Sequence, residues 1–334
     1  MKAVVIERPG TIVVKDVPEP EIGPDDVLIR VGACGICGTD LHIADGEFPP
    51  TPYPIVPGHE FAGEVVAVGS EVEGIVVGAR VAADPSLFCG HCDFCRRGKG
   101  NLCLNWGAIG DTVNGAFAEY VSAPARNAYP IPESLSWREA ALIEPVSCAV
   151  HGMHVLAPRV GDTVLIVGAG TMGLLLLQLA LRSGASRVSV LDLNTDRLPR
   201  AQGLGATSVA SDLAELMEHD PLGFDCVIDA TGAPKAIESA FSAVKRGGKL
   251  LVFGVAPEDA RVALSPFRIY NDEITVLGSM AVLNSFGPAL DLVAGGVVDA
   301  KALLTESLTL EEYPKALDMV RRGEGLKTQI LPNG

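Results

Sequence analysis

The chain has 334 residues, with 41 acidic against 26 basic side chains, for a formal charge of −15. That length exceeds the roughly 100–200 residues usual for one domain, so two domains are expected. The charge argues against nucleic acid or an anionic membrane as main partner, but a helix N-terminus can still hold a phosphate-bearing cofactor.

The first half reads as mostly β. Residues 4–6 and 12–14 are strand candidates around a Pro9-Gly10 turn, and 27–31 and 61–68 are two more. Pro130-Ile131-Pro132-Glu133 ends that character. Ser136 with Glu139 forms a capping box for a short helix, and Pro145 suits the start of another that continues over 146–156.

From Gly161 the texture changes. Strands at 164–167, 188–191, 224–229 and 249–253 alternate with helices at 172–182, 197–204 and 234–244. This alternation predicts a parallel sheet covered on both faces. Residues 274–277 suit an outer strand, and 286–294 and 311–321 suit helices in a mixed C-terminal stretch.

The N-terminus has no apolar core of signal-peptide length, and the apolar stretch 163–181 is broken by Gly168, Gly170 and Gly173. A cytoplasmic protein without a membrane span is the expectation. The cysteine placement agrees, since eight unevenly spread cysteines in a long chain do not make a secreted disulfide scaffold.

Three constellations carry chemistry. The first is Gly168-Ala169-Gly170-Thr171-Met172-Gly173, a GxGxxG turn between a strand and a helix. Gly168 allows the tight turn, Gly170 admits pyrophosphate, and Gly173 permits close helix–strand packing. Asp192 lies 19 residues beyond Gly173 at the next strand's end, placed to accept from ribose hydroxyls and to repel a 2′-phosphate, which favours NAD over NADP. Arg197 nearby is able to host that phosphate instead. Thr231, Gly254 and Val255 follow later strands, where the nicotinamide half would lie, although plain loop chemistry also accounts for them. A flavin or another adenosine ligand remains an alternative for the turn.

The second is Cys89, Cys92, Cys95 and Cys103, four thiols within 15 residues. As thiolates they can close a tetrahedral shell around one structural zinc, in preference to an iron–sulfur cluster or disulfides. The third is dispersed: Cys37, Thr39 and His42 in one segment, His59 and Glu60 in a second, and Glu144 in a third. Cys37 and His59 with a carboxylate from Glu60 or Glu144 would make an open zinc site able to polarise a substrate oxygen. Asp40 is placed either to orient His59 or to cap a helix. Read blind, His59 is also explicable as a core histidine. Together the three describe alcohol oxidation or carbonyl reduction by hydride transfer.

Gly58-His59-Glu60 with Gly63 and Gly69, the four-cysteine lobe and the 168–173 turn resemble the zinc-dependent medium-chain dehydrogenase/reductase family over essentially the whole chain. The resemblance implies an α/β fold: a mostly β GroES-like catalytic domain over 1–148, a doubly wound Rossmann NAD-binding domain over 149–279, and a C-terminal segment, 280–334, that rejoins the first. It implies catalytic zinc ligands at Cys37 and His59, with Glu60 ligating in exchange, substrate-oxygen contact and proton transfer at Thr39, and a relay role at His42. Glu144 stands where simple alcohol dehydrogenases carry a third, cysteine ligand; Glu144-Pro145-Val146-Ser147-Cys148 looks like the sorbitol and other polyol dehydrogenases. Cys148, one helical turn later, suits that role less well. The implied activity is oxidation of a polyol to a ketose with NAD in a homodimer or homotetramer. Threonine or small-diol oxidation is the alternative, and a non-catalytic nucleotide-binding protein is a further one.

Overall fold

The computed structural model describes residues 1–48 and 50–334. The chain forms two compact units, one made of Met1–Ser147 with Val282–Gly334, the other of Cys148–Ala281.

The first unit is built on a seven-stranded sheet. Along its main path lie Leu304–Leu308, Lys327–Ile330, Asp26–Gly35, Glu60–Val68, Arg80–Ala83 and Ala128–Pro130, with Tyr120–Pro124 also pairing Asp26–Gly35. Period-2 alternation explains the central strand, since Val27, Ile29, Val31 and Ala33 all point into the core. The N-terminal hairpin pairs Lys2–Arg8 with Thr11–Asp16, and Gly10 takes the left-handed conformation its turn demands. The C-terminal segment does rejoin this unit. Leu308, Leu310, Tyr313, Leu317 and Ile330 belong to the same core as Val4, Ile29 and Phe117, and the Tyr313 and Phe117 rings sit 4.8 Å apart.

The second unit holds six parallel strands in the order Ser208–Ala210, Arg187–Leu191, Thr163–Val167, Phe224–Asp229, Val244–Val252, Thr275–Gly278. Chain order reverses between the third and fourth of these, the doubly wound arrangement expected of the alternating pattern. All five residues of Thr163–Val167 are buried, which is why that strand reads as a continuous apolar run. Ser208–Ala210 and the helix Leu213–His219 are absent from the sequence reading. The strand is three residues long and the helix buries only Leu216, so neither shows a period; Asp212 does cap that helix by accepting from the Ala214 amide. The strand expected at 249–253 begins earlier, at Val244, because Gly247 takes a positive φ and carries an irregularity through the pair. The helix expected at 197–204 is a 3-10 turn, Thr195–Arg197, leading into Leu198–Gly203, with Pro199 in the first turn where its missing N–H costs nothing. Likewise the helix Ile143–Leu156 starts two residues ahead of Pro145.

Among the described residues no helix is long and apolar enough to cross a membrane.

At Gly173 the helix packs directly on the turn at Gly168. A Cβ there would overlap the carbonyl oxygen of Gly168. Gly173→Ala is therefore expected to destabilise the protein by about 1–3 kcal/mol, as overpacking does. Chemical denaturation checks this, and an unchanged midpoint would contradict the close approach.

Candidate active site and metal centres

Glu60 opens the strand Glu60–Val68 beside Gly35, the last residue of Asp26–Gly35. Glycine is required at 35, because a Cβ would overlap the Glu60 carboxylate. Lys327 enters from the C-terminal strand on the other side, where Ile330 pairs with Cys34 and Gln329 with Gly35. Its ammonium lies 2.7 and 2.6 Å from the two Glu60 oxygens and 3.0 Å from the carbonyl of Ile36. Both side chains are almost fully buried, at 5% and 1% exposure. Burial alone lowers the pKa of Lys327, but the negative fields of Glu60, Cys37 and Glu144 outweigh it and the net shift is upward. The ammonium and the carboxylate are thus paired away from water.

Ligand atoms of Cys37, His59 and Glu60 lie within 4.8 Å of one another. Three donors of this type on one side fit an open zinc site. Glu144 is buried on the helix Ile143–Leu156; it lies outside that group of three but close enough to Lys327 to favour its charge. His59 is buried, with Nδ1 3.1 Å from Oδ1 of Asp111, though the two atoms are not aligned as a hydrogen bond. Burial lowers the affinity of the ring for a proton, yet Asp111, Cys37 and Asp40 raise it further, so the net shift is well upward. A site this anionic favours a cation, whether proton or metal.

Asp40 caps a helix and also lies close enough to His59 to raise its proton affinity. Its Oδ2 accepts from the Cys37 amide at 2.8 Å, capping the helix Gly38–Asp45. Burial pushes its carboxyl up to about 7. The Thr39 hydroxyl lies 3.7 Å from the Cys37 sulfur. His42, in the last turn of the same helix, holds Glu47 through Nδ1 at 2.9 Å and is partly exposed.

The four-cysteine lobe is organised by amides that point at sulfur. Cys103 Sγ accepts from the amides of Cys89 and Asn105, both at 3.3 Å, and Cys89 Sγ from that of Cys92 at 3.4 Å. The sulfurs of Cys103 and Cys89 are 3.5 Å apart, and those of Cys92 and Cys103 3.9 Å. Zinc–thiolate bonds of about 2.3 Å in a tetrahedron put sulfurs roughly 3.8 Å apart, so the spacing fits zinc. Donation from the His91 and Cys92 amides lowers the Cys89 thiol to about 6, whereas desolvation raises Cys95 to about 12.

In the second unit, Gly168 has a positive φ and Gly170 precedes the helix Thr171–Arg182, which starts with half-buried Thr171 and Met172. Asp192 accepts from the Ala169 amide at 2.6 Å and the Asn194 amide at 2.8 Å, which fixes the carboxylate at the rim of the turn. The Arg197 guanidinium is 3.9 Å from it, and the same group approaches the open face of Gly170. Asp229 accepts from the Thr231 amide and hydroxyl and from the Gly232 amide. A Cβ on Gly254 would overlap that Gly232 amide, and one on Gly232 the carbonyl of exposed Val255. The two loops are therefore locked back to back at the carboxyl ends of their strands.

Sequence reasoning missed Lys327 and Asp111. A lysine 267 positions from Glu60 gives no local signal. Asp111 shows one only in hindsight, an acid between two glycines, Gly110 and Gly115, of a tight loop. Removing the ammonium from a buried pair strands the carboxylate, so Lys327→Met is expected to cost about 3–5 kcal/mol, and Lys327→Arg less. Urea unfolding distinguishes the two, and equal losses for both variants would contradict the ion-pair account.

Residues 23–133 match the alcohol dehydrogenase GroES-like domain family, and 171–295 match the zinc-binding dehydrogenase family. The chain is 39% identical to D-arabinitol dehydrogenase 1 of Uromyces fabae, over 100% of this chain and 97% of that protein. It is 36% identical to sorbitol dehydrogenase of Bacillus subtilis strain 168, over 100% and 98%. A crystal structure of a putative zinc-binding dehydrogenase from Sinorhizobium meliloti 1021, bound to NADP, superposes with a TM-score of 0.94 at 38% identity, covering 99% of each chain. With the paired metal-ligand clusters and the glycine turn in their expected units, these matches make the chain a member of the zinc-dependent medium-chain dehydrogenase family.

Proposed function

We propose that the protein oxidises a secondary hydroxyl of a sugar alcohol to the ketose, passing hydride to NAD. The observation that carries this reading is the buried group of Cys37, His59 and Glu60 with Lys327 and Glu144 beside it. Zinc held by Cys37 and His59, with Glu60 or Glu144 available, would supply a Lewis acid that makes a hydroxyl proton easier to lose. The surrounding residues account for the rest. Thr39 is placed beside Cys37 to accept the substrate's hydroxyl proton while releasing its own, and His42, paired with Glu47 and partly exposed, takes that proton on toward solvent. Lys327 anchors Glu60 at both oxygens and so fixes where this carboxylate stands beside Cys37 and His59. The carboxylate at 144 is suited to hydrogen-bond neighbouring hydroxyls, which discriminates a polyol from a simple alcohol more strongly than an apolar pocket does. The named activities of the D-arabinitol and sorbitol dehydrogenases support the same substrate class.

Cofactor binding falls to Gly168, Gly170, Thr171, Met172 and Gly173 at the phosphates, Asp192 and Arg197 at the ribose, and Thr231, Gly254 and Val255 at the nicotinamide end. A homodimer or homotetramer is proposed. It is supported by the edge strand Thr275–Gly278, whose outer side has no strand partner among the described residues, and by exposed Phe267, Tyr270 and Val276 near it. Eight free cysteines support the cytoplasm as the setting.

Initial rates with ribitol, arabinitol, xylitol, sorbitol, butanediol and threonine test the substrate class. Turnover of at least one alditol with NAD is expected; turnover of threonine with no alditol overturns the proposal. Asp192→Ala is expected to lower the NAD-to-NADP ratio of kcat/KM by roughly tenfold or more, the loss of a charge-assisted hydrogen bond and of repulsion to a 2′-phosphate. A ratio equal to that of the unmodified protein would remove Asp192 as the selector.

A further inference from the structure

We infer that Asp111 is the positioning residue for His59: its carboxylate, an ion-pair distance of 3.1 Å from Nδ1, orients the imidazole and so dedicates Nε2 to the metal. The inference rests on the zinc site proposed above and adds to it a residue outside every motif of the sequence.

The geometry around Asp111 is unusually constrained. Gly58, Gly110 and Gly115 meet backbone to backbone; a Cβ on Gly110 or on Gly115 would overlap the Gly58 carbonyl, and Gly58 and Gly110 both have positive φ. Four further bonds clamp the two segments. Gly115 donates to the Val56 carbonyl at 2.7 Å, Ala116 to that of Gly58 at 2.9 Å, and Phe117 to that of Pro57 at 3.0 Å. Asn114 completes the set by accepting from the Val56 amide at 3.0 Å. The loop is closed on itself where Gly110 donates to the Val113 carbonyl at 2.8 Å. The segment that carries His59 and the loop that carries Asp111 are therefore one rigid piece, and their side chains have little freedom to part.

Both side chains are 8% exposed and 3.1 Å apart. Of the acids around this ring, Asp111 is the one whose carboxylate pairs with it, at 3.1 Å; Asp40 has Oδ2 on the Cys37 amide and Oδ1 without a hydrogen-bond partner, and Glu60 has both oxygens on Lys327. A histidine that ligates metal through one nitrogen is oriented by the partner of the other, and loss of such a partner typically weakens metal binding 10–100-fold. The backbone clamp excludes side chains at Gly110 and Gly115 in the loop and at Gly58 in the segment that carries His59.

The test uses the zinc-loaded full chain and reads the rate at which zinc passes to a chromophoric chelator. The unmodified protein is expected to release one zinc quickly, from the open site, and one slowly, from the four thiolates. Asp111→Ala is expected to speed the first phase roughly 10–100-fold and leave the second unchanged. Asp111→Asn, which keeps the shape, is expected to speed the first phase several-fold, and it carries the test if the alanine variant does not fold. A first phase unchanged in the folded variants overturns the inference. So does acceleration of both phases together, which would mean that Asp111 merely supports the fold. Failure of the underlying zinc reading looks different: the unmodified protein would release a single zinc, slowly, and Cys37→Ser would not change it.

Discussion

Two charges buried against each other, Glu60 and Lys327, hold the first unit in the form its chemistry needs. A carboxylate at 1% exposure is costly without a cation against it, and the ammonium that contacts both its oxygens lies far along the chain. The cation comes from the C-terminal strand, so the chain must return to the first unit after completing the second. That return places Lys327–Ile330 against Asp26–Gly35, brings Leu308, Tyr313 and Ile330 into the first core, and sets Lys327 beside Ile36, one residue from Cys37. The same contact that closes the unit thus also fixes the Glu60 carboxylate beside Cys37 and His59. Stability and the state of the active site are linked through one ion pair.

Glycine works at each site by removing a side chain where backbone must touch backbone. Gly35 leaves room for the Glu60 carboxylate, and Gly58, Gly110 and Gly115 join the His59 turn to the Asp111 loop. In the second unit Gly173 lets the helix reach the Gly168 turn, and Gly232 and Gly254 lock two loops together. Polar groups are then positioned by main chain, which is stiffer than side-chain packing. This explains why a chain with 37 glycines and few aromatics forms two ordered units.

Much of this was readable from the chain because its signals are local. A buried parallel strand such as Thr163–Val167 is an apolar run, the GxGxxG turn sits in its strand–helix frame, and four thiols within one short segment mark a metal lobe. Ser136 and Glu139 form the expected capping box, with the serine accepting from the Glu139 amide. What escaped has no local signature. Lys327, Thr328, Gln329 and Ile330 are all buried although three are polar, so the strand shows neither an apolar run nor an alternation. Their burial is made tolerable by partners far along the chain, Glu60 for Lys327 and Arg138 for Gln329. Asp111 was invisible for the same reason, since its partner His59 is brought to it only by folding. Asp40, by contrast, offered two local readings: its Oδ2 caps the helix through the Cys37 amide, and its charge also raises the proton affinity of His59.

The central claim is that the chain carries two zinc sites of different character, four thiolates in one and a mixed sulfur, nitrogen and oxygen set in the other. X-ray absorption at the zinc edge, on protein with its metal content measured, reads that difference directly. The account predicts two zinc ions per chain and an average shell in which sulfur is accompanied by imidazole nitrogen and oxygen, with the imidazole and oxygen contribution lost in Cys37→Ser. A single zinc in an all-sulfur shell, the same with and without Cys37, would contradict it.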